Sequence, residues 1–341
     1  MNAFFLNFSA MLFVIAFAFS LSAFCSFLMS KLGFKIALID KPNERSSHSL
    51  PTPRGGGIGI WFSFLVVFLL LVPKTPAITY FAAAATIMAL LGLLEDRFSF
   101  SSKLRLIIHL GLAAWTIFLF KDLYFYSGAI VLFVFWLLFI AGTANFYNFM
   151  DGINGIAGLI GTVAFGLTAY FSYYMVQDMN ISILSIALFS ACLGFLPFNL
   201  LKAKIFMGDV GSVFLGFVFA AFVVKLSSNI SIFLCLIMFL CTFYADAVIT
   251  IYQRWRRGEN LLKAHRRHLY QYLSNELGIS HWLVSVIYAG VQSVFGLIAL
   301  LAYGKGLVWQ FAVFGVFSIF FLVSYMVIKG LSPIAEKTRM S

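Results

Sequence analysis

Asp151 stands in the run Asn148-Phe-Met-Asp-Gly-Ile-Asn154-Gly155, a short polar turn between two long apolar stretches. Gly152 and Gly155 give it permissive backbone, so main-chain atoms can approach a ligand closely. A plain hairpin between apolar helices needs no such residues. A bare carboxylate at membrane depth is expensive and marks a functional site. Asn148 lies three residues before Asp151 and Asn154 three after, so a helical turn through them would put all three on one face. For Asn154 a simple Asx-turn is the alternative.

Asp209 is the second such carboxylate, held between Gly208 and Gly211 in Lys-Ile-Phe-Met-Gly-Asp-Val-Gly-Ser212. A hard cation such as Mg2+ is bound by one or two carboxylates, with phosphate oxygens and waters completing the octahedron. The same residue also suits a helix N-cap, and the two roles are compatible. Glu95 and Asp96 form an adjacent pair followed by Arg97, Lys103 and Arg105. Adjacent carboxylates at the end of an apolar run repel each other and persist most easily beside a cation; a solvated helix end with an Asp96–Arg97 pair is the plainer reading.

Two further turns carry cations. The first, from Asp40, reads DKPNERSSHSLPTPRGGGIGI and holds Arg45, His48 and Arg54 ahead of Gly55-Gly56-Gly57. Glycine backbone at a helix start offers N–H groups to phosphate, or else a flexible turn. The second, from Arg254, reads RWRRGENLLKAHRRHLYQYL. His265 and His268, three apart on one helical face, enclose Arg266 and Arg267. Zinc lacks a cysteine or third nearby ligand there. Arg and His together suit anionic phosphate, and a basic helix on anionic lipid is the alternative. Asp246 is a further carboxylate with no evident role.

Long apolar segments must position these turns. The chain has 341 residues, is 62% hydrophobic and only 10% charged. Runs of about 20 residues, each able to cross a ~30 Å hydrocarbon core, recur throughout. They predict an all-α polytopic membrane protein of eleven spans, at 3–30, 56–73, 76–94, 104–121, 127–146, 155–176, 180–199, 209–227, 229–251, 282–303 and 307–329. The first 30 residues lack a basic residue before Lys31, so they read as a span rather than a signal peptide. The four cysteines lie in apolar runs without metal-ligand spacing and read as small buried residues. No internal repeat or separate soluble domain is visible, so residues 1–341 read as one domain, with the motifs in 40–271 and two final helices plus a tail in 282–341.

With the N-terminus outside, 19 of the 23 Lys and Arg residues fall on the inner side and 4 on the outer. That asymmetry sets the orientation, puts every chemically rich turn on the cytoplasmic face and accounts for the net charge of +11 without nucleic acid.

The turns DKPNERSSHSLPTPRGGG, EDR, NFMDGINGIAG, KIFMGDVGS and AHRRHLYQ, in that order over residues 40 to 271, resemble the polyprenyl-phosphate N-acetylhexosaminyl-1-phosphate transferases, glycosyltransferase family 4. The resemblance implies transfer of a sugar 1-phosphate from a UDP-sugar to undecaprenyl phosphate in a bacterial inner membrane, with release of UMP. It implies Mg2+, with Mn2+ as a substitute. It makes Asp209 the metal ligand, places Asp96 near the lipid phosphate with metal contact as an option, and gives Asn148 and Asp151 to the nucleotide. His268 starts the family's histidine motif. Catalytic candidates are therefore Asp96, Asp151, Asp209 and His268. Substrate-binding candidates are Arg45, His48, Arg54, Glu95, Lys103, Arg105, Asn148, Asn154, His265, Arg266 and Arg267. A homodimer is left open.

This chain departs from the family pattern where Glu95 replaces an Asp, where Asn154 replaces an acid, and at His268-Leu-Tyr-Gln271. The last is similar to enzymes that start O-antigen with 6-deoxy sugars such as FucNAc or QuiNAc; donors carrying GlcNAc or MurNAc-pentapeptide are the alternatives. Asp96 could orient the lipid phosphate or form an acyl-phosphate. A transporter or lipid flippase is the rival class, but such proteins place polar sites near the midplane of repeated halves. A purely structural membrane subunit leaves the carboxylate-bearing turns unexplained.

Overall fold

A computed structural model of the chain describes residues 8–35, 38–40, 42, 47, 50–98, 100–121, 128–260 and 266–330. Arg45, His48 and His265, all expected at the site, lie outside the described residues.

The architecture is helical, as the apolar runs require. In chain order the helices are α1 (Phe8–Leu32), α2 (Gly57–Leu71), α3 (Pro76–Phe98), α4 (Ser102–Phe120), α5 (Ala129–Phe149), α6 (Ile156–Phe171), α7 (Met179–Asn199), α8 (Asp209–Leu226), α9 (Ile230–Ile237), α10 (Cys241–Arg256), α11 (Leu269–Asn275), α12 (His281–Tyr303) and α13 (Leu307–Gly330). The strands β1 (Ile39–Asp40) and β2 (Thr52–Pro53) pair antiparallel and fold the loop after α1 back on itself. Backbone groups cannot stay unpaired in hydrocarbon, which is why the apolar runs become helices.

Among the described residues ten helical segments are long and apolar enough to cross a membrane. The expected second span is the exception. α2 has only 15 residues, about 22 Å at 1.5 Å per residue. It begins at Gly57, one residue after the expected start, and ends at Leu71, capped by Val72 just before Pro73. The expected span at 229–251 is α9 and α10 joined by a 3-10 turn at Met238–Leu240. α6 runs on through a π-helical turn at Ser172–Val176.

α8 is the central post. Every residue from Val210 to Val224 is buried, as expected of a helix apolar all round. Its neighbours approach on small residues, the means by which helices pack closely in lipid. A Cβ on Gly57 of α2 would lie 2.2 Å from the Gly211 Cα; one on Gly92 of α3 would lie 2.5 Å from the Asp209 carbonyl oxygen. One on Gly216 would lie 2.7 Å from Cβ of Tyr147 in α5. α2, α3 and α5 are thereby pinned around the N-terminal half of α8, and the turns that end them converge on Asp209.

Candidate active site

Asp209 is the first residue of α8, preceded by Gly208 at φ +74°. Its carboxylate is partly open, with the side chain 22% exposed, and Arg105 of α4 stands 3.6 Å away. The Asn148 side chain bonds to it, and Asn148 Oδ1 in turn accepts the Ser212 hydroxyl at 2.7 Å. The last turn of α5 therefore orients the first residue of α8.

Asp96 lies beneath Asp209. Its side chain is wholly shut from solvent. One oxygen accepts the Asp209 N–H at 3.1 Å and the other the Val210 N–H at 3.3 Å, so a carboxylate on α3 caps α8 from outside. A Cβ on Gly208 would lie 2.4 Å from Asp96 Oδ2, which leaves glycine alone at that position. Arg54 bridges Asp96 at 3.5 Å and Asp40 at 2.9 Å. Glu95 faces away from its neighbour and holds Arg105 at 2.6 Å. Glu95 and Asp96 are thus each matched by an arginine from a flanking segment.

A cavity of about 170 Å³ opens over Asp209. Its walls come from four turns: Arg54 and Asp40 from the first, Asn148, Asp151 and Asn154 from the third, Asp209 from the fourth and Gln271 from the last. Asn148, Asp151 and Asn154 share the cavity, but no helix runs through them. α5 ends at Phe149, and the turn is shaped instead by Gly155 at φ +85°. Loss of water pushes the Asp151 carboxyl well above the usual carboxylate range, with Asp209 and Asp96 raising it further and Arg54 opposing them.

Several expectations are corrected. The Gly56 and Gly57 N–H groups donate to the Phe206 and Met207 carbonyls at 2.9 Å, so they are not offered to phosphate. Asp96 is not among the cavity-lining residues, and each of its oxygens accepts a backbone N–H of α8. Arg266 pairs with Glu276 and Arg267 with Glu259, and neither lines the cavity. Lys103 is exposed at the start of α4 and does not line it. His268 is buried, absent from the walls and bound to Asp246 at 3.2 Å. It caps α11 rather than lying on a helical face.

Other wall residues were not singled out by sequence. Asn199, at the end of α7, accepts the Gly155 N–H at 2.6 Å and donates to the Ile205 carbonyl at 2.9 Å, tying two turns together. His281, at the start of α12, accepts the Asn154 N–H at 3.4 Å, while Ser285 one turn on donates to the Asn154 carbonyl at 2.8 Å. Asp40 fixes Arg54. Each is an isolated polar residue at a helix end or strand, without a spacing pattern.

Among the described residues no group of three or more His, Cys, Asp or Glu is placed to hold a metal. The oxygen donors around Asp209 fit a hard cation that takes one protein carboxylate and completes its shell with phosphate and water.

The family model for glycosyl transferase family 4 matches residues 78–227, which span Glu95 to Asp209 and the whole of α8. The chain is 26% identical over 312 residues to a probable undecaprenyl-phosphate N-acetylglucosaminyl 1-phosphate transferase of Bacillus subtilis, covering 88% of this chain and 85% of that protein. It is 27% identical to the decaprenyl-phosphate N-acetylglucosaminephosphotransferase of Mycobacterium tuberculosis, over 77% of this chain and 78% of the relative. It is 24% identical to an undecaprenyl-phosphate alpha-N-acetylglucosaminyl 1-phosphate transferase of Salmonella typhi, over 78% of each. With its polar turns gathered around one carboxylate at the head of α8, the chain is similar to the polyprenyl-phosphate N-acetylglucosamine-1-phosphate transferases, and the glycosyl transferase family 4 model covers the part that bears Glu95, Asp151 and Asp209.

Proposed function

We propose that this protein transfers an N-acetylhexosamine 1-phosphate from a UDP-sugar to a polyprenyl phosphate, taken as undecaprenyl phosphate, with release of UMP. The observation that carries this reading is the open Asp209 carboxylate between Arg105 and the Arg54-bearing turn, over a polar cavity set at the ends of apolar helices. A diphosphate and a lipid phosphate are both anions, and bringing them together requires fixed positive charge.

In this mechanism an oxygen of the lipid phosphate attacks the phosphorus that bears the sugar, in line with the departing UMP oxygen. One P–O bond forms, the P–O bond to UMP breaks, and the electron pair leaves with UMP. Mg2+, when bound, neutralises charge on the phosphate oxygens. Asp209 would hold it. Asn148 and Ser212 fix the Asp209 rotamer, and Arg105 stays in place through Glu95. Arg54, steadied by Asp40, supplies charge at the cavity wall. Asp151 and Asn154 face the nucleotide. Asp96 holds the N-terminus of α8 and so sets where Asp209 stands; closed off from the cavity, it is poorly placed to attack phosphorus itself, which favours direct transfer over an acyl-phosphate.

For the sugar, the His268-Leu269-Tyr270-Gln271 turn favours a 6-deoxy N-acetylhexosamine such as FucNAc or QuiNAc, and hence the start of O-antigen or a related surface glycan. The relatives are named for N-acetylglucosamine. Purified protein with undecaprenyl phosphate, Mg2+ and a panel of UDP-sugars is expected to release UMP, fastest with a 6-deoxy donor. Faster release from UDP-GlcNAc, or from the MurNAc-pentapeptide donor, moves the protein to another branch. No UMP from any donor sinks the transferase reading and leaves the flippase rival.

The excess of cations on one side supports an inner-membrane protein with the N-terminus outside and the cavity facing the cytoplasm. An impermeant thiol reagent applied to intact cells is expected to leave a cysteine at Asn260 unlabelled and to label it after lysis. Labelling in intact cells reverses the topology.

A further inference from the structure

Asp246 lies within α10, wholly buried, and its carboxylate gathers five partners. Oδ1 accepts the Leu269 N–H at 2.9 Å and the Thr250 hydroxyl at 3.2 Å, and meets His268 Nδ1 at 3.2 Å. Oδ2 accepts the Tyr270 N–H at 3.2 Å and the Tyr288 hydroxyl at 2.7 Å. A buried carboxylate in a span is tolerated only when its lone pairs are matched this fully. The contact assigns the Nδ1 proton to His268, which donates it to Asp246. α10, α12 and the turn into α11 are thereby joined at one point.

The joined turn bears directly on the cavity. The Tyr270 hydroxyl donates to the Phe149 carbonyl at 2.8 Å, two residues before Asp151. A Cβ on Gly152 would lie 2.2 Å from that hydroxyl oxygen and 3.2 Å from Gln271 Nε2. Gln271 lines the cavity beside Asp151 and Gly152; His268 does not. Contact therefore runs from Asp246 through His268 and the Leu269 and Tyr270 amides to the turn that carries Asp151.

We propose that Asp246 and His268 are positioning residues: they lock Tyr270 and Gln271 against the Gly152 backbone, and His268 neither touches substrate nor exchanges protons with it. The kinetic part of this inference rests on the transferase function proposed above. Asparagine can place an N–H where His268 Nδ1 stands, so it separates the two roles of the histidine. The His268→Asn variant is expected to keep kcat within about threefold of wild type, with an unchanged pH profile. The His268→Leu variant, which cannot donate, is expected to raise KM for the UDP-sugar about tenfold. A general acid–base His268 would instead lose about a hundredfold or more in kcat in the Asn variant, together with one limb of the pH profile, and that result overturns the proposal.

Hydrogen exchange supplies a readout independent of activity. Amides 268–271 and 148–154 are expected to exchange faster in the Leu variant than in wild type and at the wild-type rate in the Asn variant. Unchanged exchange in a folded Leu variant overturns the proposal even if the wild type releases no UMP; in that event the transferase reading fails separately. If the Leu variant does not fold, Tyr270→Phe removes only the bond to Phe149. It is expected to raise KM about threefold and to speed exchange at 148–154, and an unaltered KM with unaltered exchange rejects the link.

Discussion

Purified Asp209→Asn protein is expected to release UMP at least about a thousandfold more slowly than wild type, about 4 kcal/mol of added barrier. Asparagine has the same shape, so the packing of α8 is undisturbed. Asp209 is the first helical residue and its side chain reaches the cavity, while burial begins at Val210. What is lost is the charge. A neutral amide is a weak ligand for a hard cation, and one of its two positions becomes an N–H donor facing Arg105 at a point built to gather cations. The melting temperature is expected to stay within a few degrees, because the buried faces that hold the helix remain. Turnover within tenfold of wild type at ordinary Mg2+ would take Asp209 out of the metal site. A restored rate at high Mg2+ would locate the defect in cation affinity rather than in geometry.

Much of this site was legible because its carboxylates sit where apolar sequence is interrupted. Asp151, Asp209, Glu95 and Asp96 are conspicuous among runs of Phe, Leu and Val, and the segments between them have the length and composition of membrane helices. A cation beside the Glu95–Asp96 pair was expected from a similar contrast, but only the folded chain shows that Arg105 is the one Glu95 holds. Partners distant in sequence were not legible. The Gly55-Gly56-Gly57 run carries a local signal for close approach, but only the folded chain shows that its N–H groups meet the carbonyls of Phe206 and Met207. Asn199 and His281 are single polar residues at helix ends, and their place in the cavity is made by α7 and α12 meeting the Gly155 turn. The histidines misled for a related reason. Spacing suggested one helical face, whereas Asp246 captures the Leu269 and Tyr270 N–H groups and makes His268 the residue before the helix.

The adjacent acids give the second large effect, and here the two side chains are expected to differ sharply. Neighbours on a helix point about 100° apart, so Glu95 and Asp96 cannot serve one atom equally. Glu95 turns to Arg105 at the start of α4, and Asp96 turns to the head of α8. The Glu95→Gln variant keeps an oxygen for the Arg105 guanidinium and loses only charge; its expected kcat loss is about tenfold, near 1.4 kcal/mol. The Asp96→Asn variant is worse placed. Both oxygens of Asp96 accept backbone N–H groups, so an amide must turn its own N–H toward one of them. Arg54 loses one of its two anionic partners at the same moment. The first turn of α8 then shifts, and Asp209 moves with it. An active-site group must be held to about 0.5 Å, so a loss of about a thousandfold in kcat is expected. The melting temperature should also fall, because a buried cap is broken. Measured rates in the opposite order would make Glu95 the acid that sets the site and leave Asp96 as a helix cap alone.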